Sequence, residues 1–343
     1  MAEPWSPLHL RLHRQLLQAP DLLPAGAPLL LALSGGQDSM ALLALLRDLR
    51  RLHHWPLQLW HGDHGWREGS ADQARALGEW VRSQGLSLTV ERWEKPVASE
   101  AAARQWRYGR LAEAARQMGC QHVVTAHTGS DRAETLLLQL ARGSHSRGLA
   151  SLRRQRPLME GEKTVLLVRP LLGFSRQETG SICAQGQLPI WVDPSNADQR
   201  YSRNRLRAAV MPVLEELHPG AALRISALGE RLAQQQDCSD QLVDLSLQAL
   251  SGTNPSGRPV LRRRELMQLA RGNQRLLLQR WLEQQQAAPN HAGTLNALLQ
   301  RLDPERGPGQ AALSGPTELH WDREQIWLER DHGANLPADL NQA

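Results

Sequence analysis

This sequence of 343 residues predicts an α/β fold, a doubly wound, mainly parallel five-stranded sheet followed by a smaller, mostly helical second domain. Three observations predict it. Short apolar runs that read as buried strands alternate with longer runs of helical spacing up to about residue 215. The first of these strands passes straight into a helix through Ser34-Gly35-Gly36-Gln37-Asp38-Ser39. Beyond Pro219-Gly220 the alternation stops and helical patterns follow one another until a closing hairpin.

Taken in order, an amphipathic helix over residues 5–19 (Trp5, Leu8, Leu12, Leu16) ends near Pro20. The strand Leu29–Leu33 leads into a helix reaching about Leu52, and Leu57–His61 reads as the second strand. A helix over 71–84, stopped by Gly85, precedes a strand at Ser87–Arg92; a long helix over 98–118 precedes a strand at Gln121–Ala126. A helix over 131–141 ends at Gly143, and Thr164–Val168 is the fifth strand, with a helix over 175–185 behind it. Later come helices over 221–250, 262–271, 274–286 and 291–302, a loop Ser251–Pro259, and a hairpin of Glu318–Asp322 with Gln325–Arg330. The expected division is a catalytic domain over 1–215, a helical domain over 220–330, and a disordered tail over 331–343.

Composition narrows the function classes. No apolar run approaches the roughly 20 residues of a membrane span, and the first residues lack the basic and apolar regions of a secretory signal. Cys120, Cys183 and Cys238 are widely spaced, so neither a disulfide framework nor a Cys-based metal site is indicated, and a reducing cytoplasm is the expected setting. The net charge of +5 points to a polyanionic partner. Lysine occurs only at Lys95 and Lys163, so the positive charge is almost all arginine, whose planar fork suits phosphates and base stacking. Eleven tryptophans against one phenylalanine read as core or interface filler.

In a parallel sheet, ligands gather beyond the carboxyl ends of the strands. After strand one, Gly35 and Gly36 let main-chain N–H groups approach an anion at a helix start, with Ser34 and Ser39 as further donors. Asp38 beside bound phosphates makes sense through a bridging metal ion. The spacing is neither a Walker loop nor a dinucleotide fingerprint. It resembles the pyrophosphate-binding loop of the N-type ATP pyrophosphatases. After strand two, Asp63 and His64 suit either contact with adenine or ribose, or an Asx turn before Gly65. After strand four, Asp131 and Glu134 share one face of a helix start. They are either capping groups or a carboxylate pair facing the crevice, fit to hold a metal or an ammonium group.

Arg104, Arg107 and Tyr108 share one helical face, and Arg142 and Arg147 sit in a Gly/Ser-rich loop. Both segments fit a solvated surface or an RNA backbone. Arg203 and Arg207 open a helix whose dipole they oppose, which suggests an anion nearby. Arg262, Arg263, Arg264, Arg271, Arg275 and Arg280 make the second domain basic, as a solvated face or an RNA surface.

In chain order these segments resemble the tRNA(Ile)-lysidine synthetases across most of residues 25–215. The matching pieces are Ser-Gly-Gly-x-Asp-Ser (34–39), Asp-His-Gly-x-Arg (63–67), Ala-Arg-x-x-Arg-Tyr (103–108), Thr-Ala-His with Asp-x-x-Glu-Thr (125–135), Arg-Gly-Ser (142–144), Arg-Pro-Leu-Leu (169–172), Asp-Pro-Ser-Asn (193–196) and Arg-Asn-x-x-Arg (203–207). The resemblance is to a short form, without the long C-terminal extension of some members. It implies an adenine-nucleotide α-hydrolase-like fold. It also implies use of ATP and Mg²⁺ to adenylate the wobble cytidine of a tRNA(Ile) with a CAU anticodon, whose AMP is then displaced by L-lysine. Ser34, Gly35, Gly36, Gln37, Asp38 and Ser39, with Asp63 and His127, would bind the nucleotide, and Asp38 the Mg²⁺. Asp38, Asp131, Glu134 and Arg205 would be catalytic, Asp131 and Glu134 facing the lysine ammonium groups. Arg104, Arg107, Tyr108, Arg142, Arg147, Arg203 and Arg207 would contact tRNA.

Against the family pattern Thr-Ala-His-His-x-Asp-Asp-Gln-x-Glu-Thr, this chain has Thr128 for the second His, Ser130 for the first Asp and Arg132 for the Gln, and His145 replaces a glycine. One carboxylate is thereby lost and a positive charge gained. The alternatives are a catalytically silent tRNA-binding relative or another tRNA cytidine-modifying enzyme of the superfamily. The sequence leaves the oligomeric state open.

Overall fold

The computed structural model describes residues 5–65, 69–94, 99–162, 164–191, 198–287, 292–313 and 317–330. The expected turn Asp193–Asn196, Arg67 of the Asp-His-Gly-x-Arg motif, and the tail 331–343 lie outside the described residues. Two units divide between Gln234 and Gln235.

The first unit runs α1 (Pro7–Gln18), β1 (Leu29–Ala32), α2 (Gln37–His53), β2 (Leu57–Asp63), α3 (Ser70–Ser83), β3 (Leu88–Arg92), α4 (Glu100–Gln117), β4 (His122–Val124), α5 (Gly129–Ala141), α6 (Ser146–Leu149), β5 (Gln155–Pro157), β6 (Leu166–Val168) and α7 (Arg176–Gln185). Next come α8 (Ser202–Arg205), a wide π turn at Leu206–Val210, α9 (Met211–Leu217) and the start of α10 (Ala221–Leu250). The sheet order is β3-β2-β1-β4-β6-β5. Five strands are parallel, as expected; the sixth, β5, pairs antiparallel with β6 at the edge and was not expected. Gln-Arg-Pro has no apolar alternation, and its proline suits only an edge.

Both faces of the sheet are buried, which is why β1 is apolar throughout. Leu29, Leu31, Leu59, Val124 and Val168 pack with Leu12, Met40, Leu42, Leu45, Leu77 and Ile182 of α1, α2, α3 and α7. The alternate residues Leu30, Trp60, Val123 and Leu167 pack on the other face with Leu111, Ala112 and Ala115 of α4. The strand order reverses between β1 and β4, so the loops after those two strands border a switch-point crevice.

The division falls inside α10 rather than at Pro219-Gly220, because the first turns of that helix belong to the first unit's packing. Ala222 packs with Ala133 and Met211, and Ser226 Oγ donates to Leu172 O at 2.9 Å.

The second unit contains the rest of α10, then β7 (Ser251–Thr253), β8 (Pro259–Arg262), α11 (Arg263–Met267), α12 (Arg271–Gln284), α13 (Ala292–Arg301), β9 (Gly309–Ala312), β10 (Thr317–Trp321) and β11 (Gln325–Arg330). Its helices are as expected, though α11 is shorter. The closing hairpin forms, with Asp322 Oδ1 accepting from the N–H groups of Glu324 and Gln325. The expected loop Ser251–Pro259 is instead a hairpin, and it extends the closing pair into a five-stranded antiparallel sheet, β7-β8-β11-β10-β9. Leu261, Leu319 and Ile326 of that sheet pack against Leu278, Trp281 and Leu299. No described helix is long and apolar enough to cross a membrane.

Gly129 opens α5 where the chain is tightest. Its N–H donates to Phe174 O at 2.7 Å, and an added Cβ would lie 2.8 Å from Leu223 Cδ2 and 3.0 Å from Leu172 O. Gly129→Ala should therefore lower stability by about 1–3 kcal/mol, read from the guanidinium unfolding midpoint.

Candidate active site

The Ser34–Ser39 loop is organised by its own hydroxyls. Ser34 Oγ donates to Ser39 Oγ at 3.1 Å, Ser39 Oγ donates to Gly36 O at 2.8 Å, and Gly36 N–H donates to Ser34 Oγ at 3.3 Å. Gly35 has φ +80°, and a Cβ there would lie 3.3 Å from the Trp191 ring, so this position needs glycine twice over. Trp191 N–H donates to Gly35 O at 3.0 Å, fixing the turn from outside.

Helix α7 clamps the start of α2. Gln37 Nε2 donates to Arg176 O at 2.7 Å and to Thr179 Oγ1 at 3.0 Å, so the Gln37 side chain is committed to α7. Thr179 donates to Asp38 Oδ1 at 2.5 Å, and Arg176 lies 3.4 Å from Asp38 Oδ2. Burial raises the Asp38 pKa, and the Asp131 charge adds to that; Thr179, Arg176 and Arg207 oppose it. Asp38 and Asp131, on the helices after β1 and β4, are therefore electrostatic neighbours. The hard oxygen donors of Asp38 fit Mg²⁺, which commonly binds through one or two carboxylates and substrate phosphates.

The acidic pair of α5 is not open. Arg203 Nη2 donates to Asp131 Oδ1 at 2.8 Å and its Nε to Glu134 Oε2 at 2.9 Å. Arg207 Nε donates to Glu134 Oε1 at 2.7 Å, and its Nη2 to Glu134 Oε2 at 2.8 Å and Asp131 Oδ1 at 3.4 Å. The anion suggested by the unfavourable helix-start arginines is thus this carboxylate pair. Burial would raise the Asp131 pKa, but Arg203, the Thr128 N–H and Arg207 together hold it below the ordinary carboxylate range. Arg205 lies outside this group and is exposed, since it falls two residues from each partner on the helix.

Both readings of Asp131 hold at once, because Asp131 Oδ2 also accepts from Thr128 N (2.7 Å) and Thr128 Oγ1 (2.9 Å) as a capping box. The family departures are absorbed in the same way. Thr128 is the N-cap, and Ser130 Oγ accepts from Arg176 N–H at 3.1 Å. Arg132 turns away from the crevice, where it pairs with Glu230 at 2.6 Å and donates to Leu152 O and Ser226 O. The incoming positive charge lies outside the acidic pair.

His127 Nδ1 is 3.0 Å from Thr125 Oγ1; burial first, and then the Arg169 charge, depress its pKa and keep the ring neutral. Asp63 Oδ1 accepts from Gly65 N–H at 2.9 Å, so the Asx turn is present. On α4, Arg107 donates to His64 Nε2 at 2.9 Å, and Arg104 lies over the Tyr108 ring at 5.0 Å. Arg142 and Arg147 are exposed at the end of α5 and in α6.

Sequence reasoning missed Arg176, Thr179 and Trp191, and gave no role to Arg169 of the Arg-Pro-Leu-Leu motif. Arg169 is buried behind Tyr108, and burial lowers its pKa to about 10. The Ser175–Glu178 capping box signals α7, but no local pattern aims Thr179 at a residue 141 positions away. In the second unit, Arg263 is buried and donates to three backbone carbonyls, Arg271 donates to those of Leu299 and Asn296, and Arg280 pairs with Asp244 at 2.7 Å. These three serve the fold; Arg264 and Arg275 stay exposed.

A PP-loop domain family model matches residues 9–214. The chain is 48% identical over 331 residues to the tRNA(Ile)-lysidine synthase of Parasynechococcus marenigrum (strain WH8102), covering 96% of each chain. Against an enzyme of the same name from Prochlorococcus marinus, identity is 42% over 334 residues, covering 95% of this chain and 97% of the other. For Nostoc sp. (strain PCC 7120 / SAG 25.82 / UTEX 2576) it is 38% over 331 residues, covering 91% and 96%. A U34-tRNA thiolase from Methanococcus maripaludis, solved with its 4Fe-4S cluster, has a TM-score of 0.56 at 19% identity, covering 66% of this chain and 79% of that one. That last likeness is one of fold. Here Cys120 and Cys183 are buried thiols whose pKa burial raises, Cys183 to about 11, and Cys238 belongs to the second unit.

Arg132→Gln should lower stability by about 1–3 kcal/mol while leaving the KM for ATP unchanged, since the lost contacts face α10. A second expectation concerns pH. The Asp131 pKa is depressed in the folded state, so its contribution is present above the ordinary carboxylate range and lost as pH falls through the folded value. Unfolding of Asp131→Asn should therefore depend less on acidification than that of the unaltered chain.

Proposed function

The chain belongs to the tRNA(Ile)-lysidine synthase family, and from that premise we propose that it is an ATP-dependent ligase that converts the wobble cytidine of a CAU anticodon to lysidine. The cytidine C2 oxygen attacks the α-phosphorus of ATP, and the bond to the leaving pyrophosphate breaks. The lysine amine then adds at C2, the C2–O bond breaks, and AMP departs with that oxygen. The Ser34–Ser39 backbone and hydroxyls receive the departing pyrophosphate, and holding cytidine and the α-phosphate together supplies much of the rate. Asp38 would hold Mg²⁺, which neutralises phosphate charge when bound.

The observation that carries the reading is the acidic pair Asp131 and Glu134, bridged by Arg203 and Arg207 beyond the carboxyl end of β4. The pair already holds two guanidinium groups, so in this reading a lysine ammonium group takes the place of one of them. Arg104, Arg107, Tyr108, Arg142 and Arg147 supply tRNA contacts in this reading, joined by Arg264 and Arg275 of the second unit.

The test is incubation with ATP, labelled lysine and a tRNA bearing CAU, with initiator methionine tRNA as control. Label should enter the isoleucine tRNA alone; retention of that tRNA without label would support the silent relative instead. Glu134→Gln should raise the KM for lysine at least tenfold and that for ATP far less. An unchanged lysine dependence would remove Glu134 from that role.

A further inference from the structure

Two tryptophans form a stack that the proposed chemistry does not use; Trp106 packs on the core beside α4, and Trp93 belongs to no core cluster. Trp93 follows the last residue of β3, and its N–H donates to Asp63 O at 2.8 Å, which ties it to the carboxyl end of β2. Its ring lies parallel to that of Trp106 on α4, at 5.5 Å between centroids and 7° between planes. Trp106 in turn leans on the buried Trp60 at 6.3 Å, and His64 meets Trp106 edge-on at 5.2 Å. The series therefore runs from the core outward, Trp60 to Trp106 to Trp93, with the last two rings half-buried.

The chain makes room for this stack. Gly62 sits beneath it, and a Cβ there would fall 2.9 Å from Trp60 Cζ3 and 3.1 Å from Trp106 Cζ3. Trp60 donates its indole N–H to Glu91 Oε1 at 3.0 Å, whereas Trp93 and Trp106 donate theirs to no described residue. A large flat ring at the ligand-binding end of a sheet, backed by a second ring that His64 and its donor Arg107 adjoin, has the composition of a nucleobase platform. Stacking on aromatic faces with adjacent arginines is how unpaired nucleic acid is commonly held.

We propose that Trp93, backed by Trp106, is a stacking platform for an unpaired base of the tRNA substrate. This rests on the reading of the chain as a tRNA-modifying enzyme. A tRNA base is favoured over the adenine of ATP because Trp93, the outer ring, follows β3 at the sheet edge. The Ser34–Ser39 loop follows β1, from which β3 is separated by β2.

The test compares Trp93→Leu, which keeps apolar bulk, with Trp93→Phe, which keeps a ring. Each is measured by filter retention of an anticodon stem-loop RNA carrying CAU. Trp93→Leu should weaken retention about tenfold and Trp93→Phe about threefold or less, with the KM for ATP unchanged in both. If Trp93→Leu does not fold, Trp93→Tyr against Trp93→Ile makes the same comparison. Retention equal to the unaltered protein in the ring-free variant would overturn the platform. So would a raised KM for ATP with RNA retention intact, which would assign the ring to adenine. Lysine incorporation is read separately: its failure in the unaltered protein, with RNA retained, counts against the proposed reaction and leaves the ring comparison valid. An unaltered protein that retained no RNA would end both.

Discussion

Two carboxylates one helical turn apart, nearly out of water, require cations on them to offset their repulsion and lost hydration. Asp131 and Glu134 are such a pair, with side chains 13% and 2% exposed, and Arg203 and Arg207 meet that requirement. Much else depends on this contact. It holds α8 and the π turn against α5, and thereby fixes what borders the crevice beyond β4. It also accounts for arginines at a helix start, where the dipole disfavours them. The local cost at α8 is offset by a charge-assisted network with four partners rather than by solvent.

The other wall of the crevice is built on a different principle. The Ser34–Ser39 loop holds its shape through hydroxyl bonds within itself and through α7, whose Thr179 and Arg176 steady Asp38. Asp38 carries a raised pKa from burial, with Asp131 as a contributing like charge. One carboxylate is thus kept poorly compensated and its neighbour strongly compensated, across one switch point. That contrast suits a site that gathers a triphosphate with its cation on one side and an organic cation on the other.

What the sequence could reveal followed from range. The five parallel strands were legible as short runs rich in leucine and valine set between helical patterns, and the carboxyl-end rule then identified the crevice loops. β5 and the β7–β8 hairpin were not legible, because Gln-Arg-Pro and Ser-Gly-Thr carry no alternation and gain their pairing only from neighbours. The acidic pair was legible as a pair; its occupants were not, lying some seventy positions away. Arg132 misled most, since a positive charge in a catalytic motif reads as damage until its Glu230 partner is known. Likewise Arg263, within a run of three arginines, is a buried tie among carbonyl groups rather than surface charge.

The asymmetry of exposure within the ion cluster bears on how the site can work. The guanidinium side chains are 37% and 25% exposed, far more than the carboxylates they meet. The acids are therefore the deeper part of the cluster and the guanidinium groups the part nearer water. Withdrawing an arginine into water restores its hydration, whereas stripping the acids bare would strand buried charge. Under the proposed function, an ammonium group that replaced a guanidinium would keep the acids neutralised and so avoid the main electrostatic penalty of the site. The π turn beginning at Leu206, immediately after Arg205, supports such an exchange, since wide turns of this kind are common where a helix serves a functional site. Arg203 and Arg207 lie on either side of its start, so the two cations need not move as one rigid body.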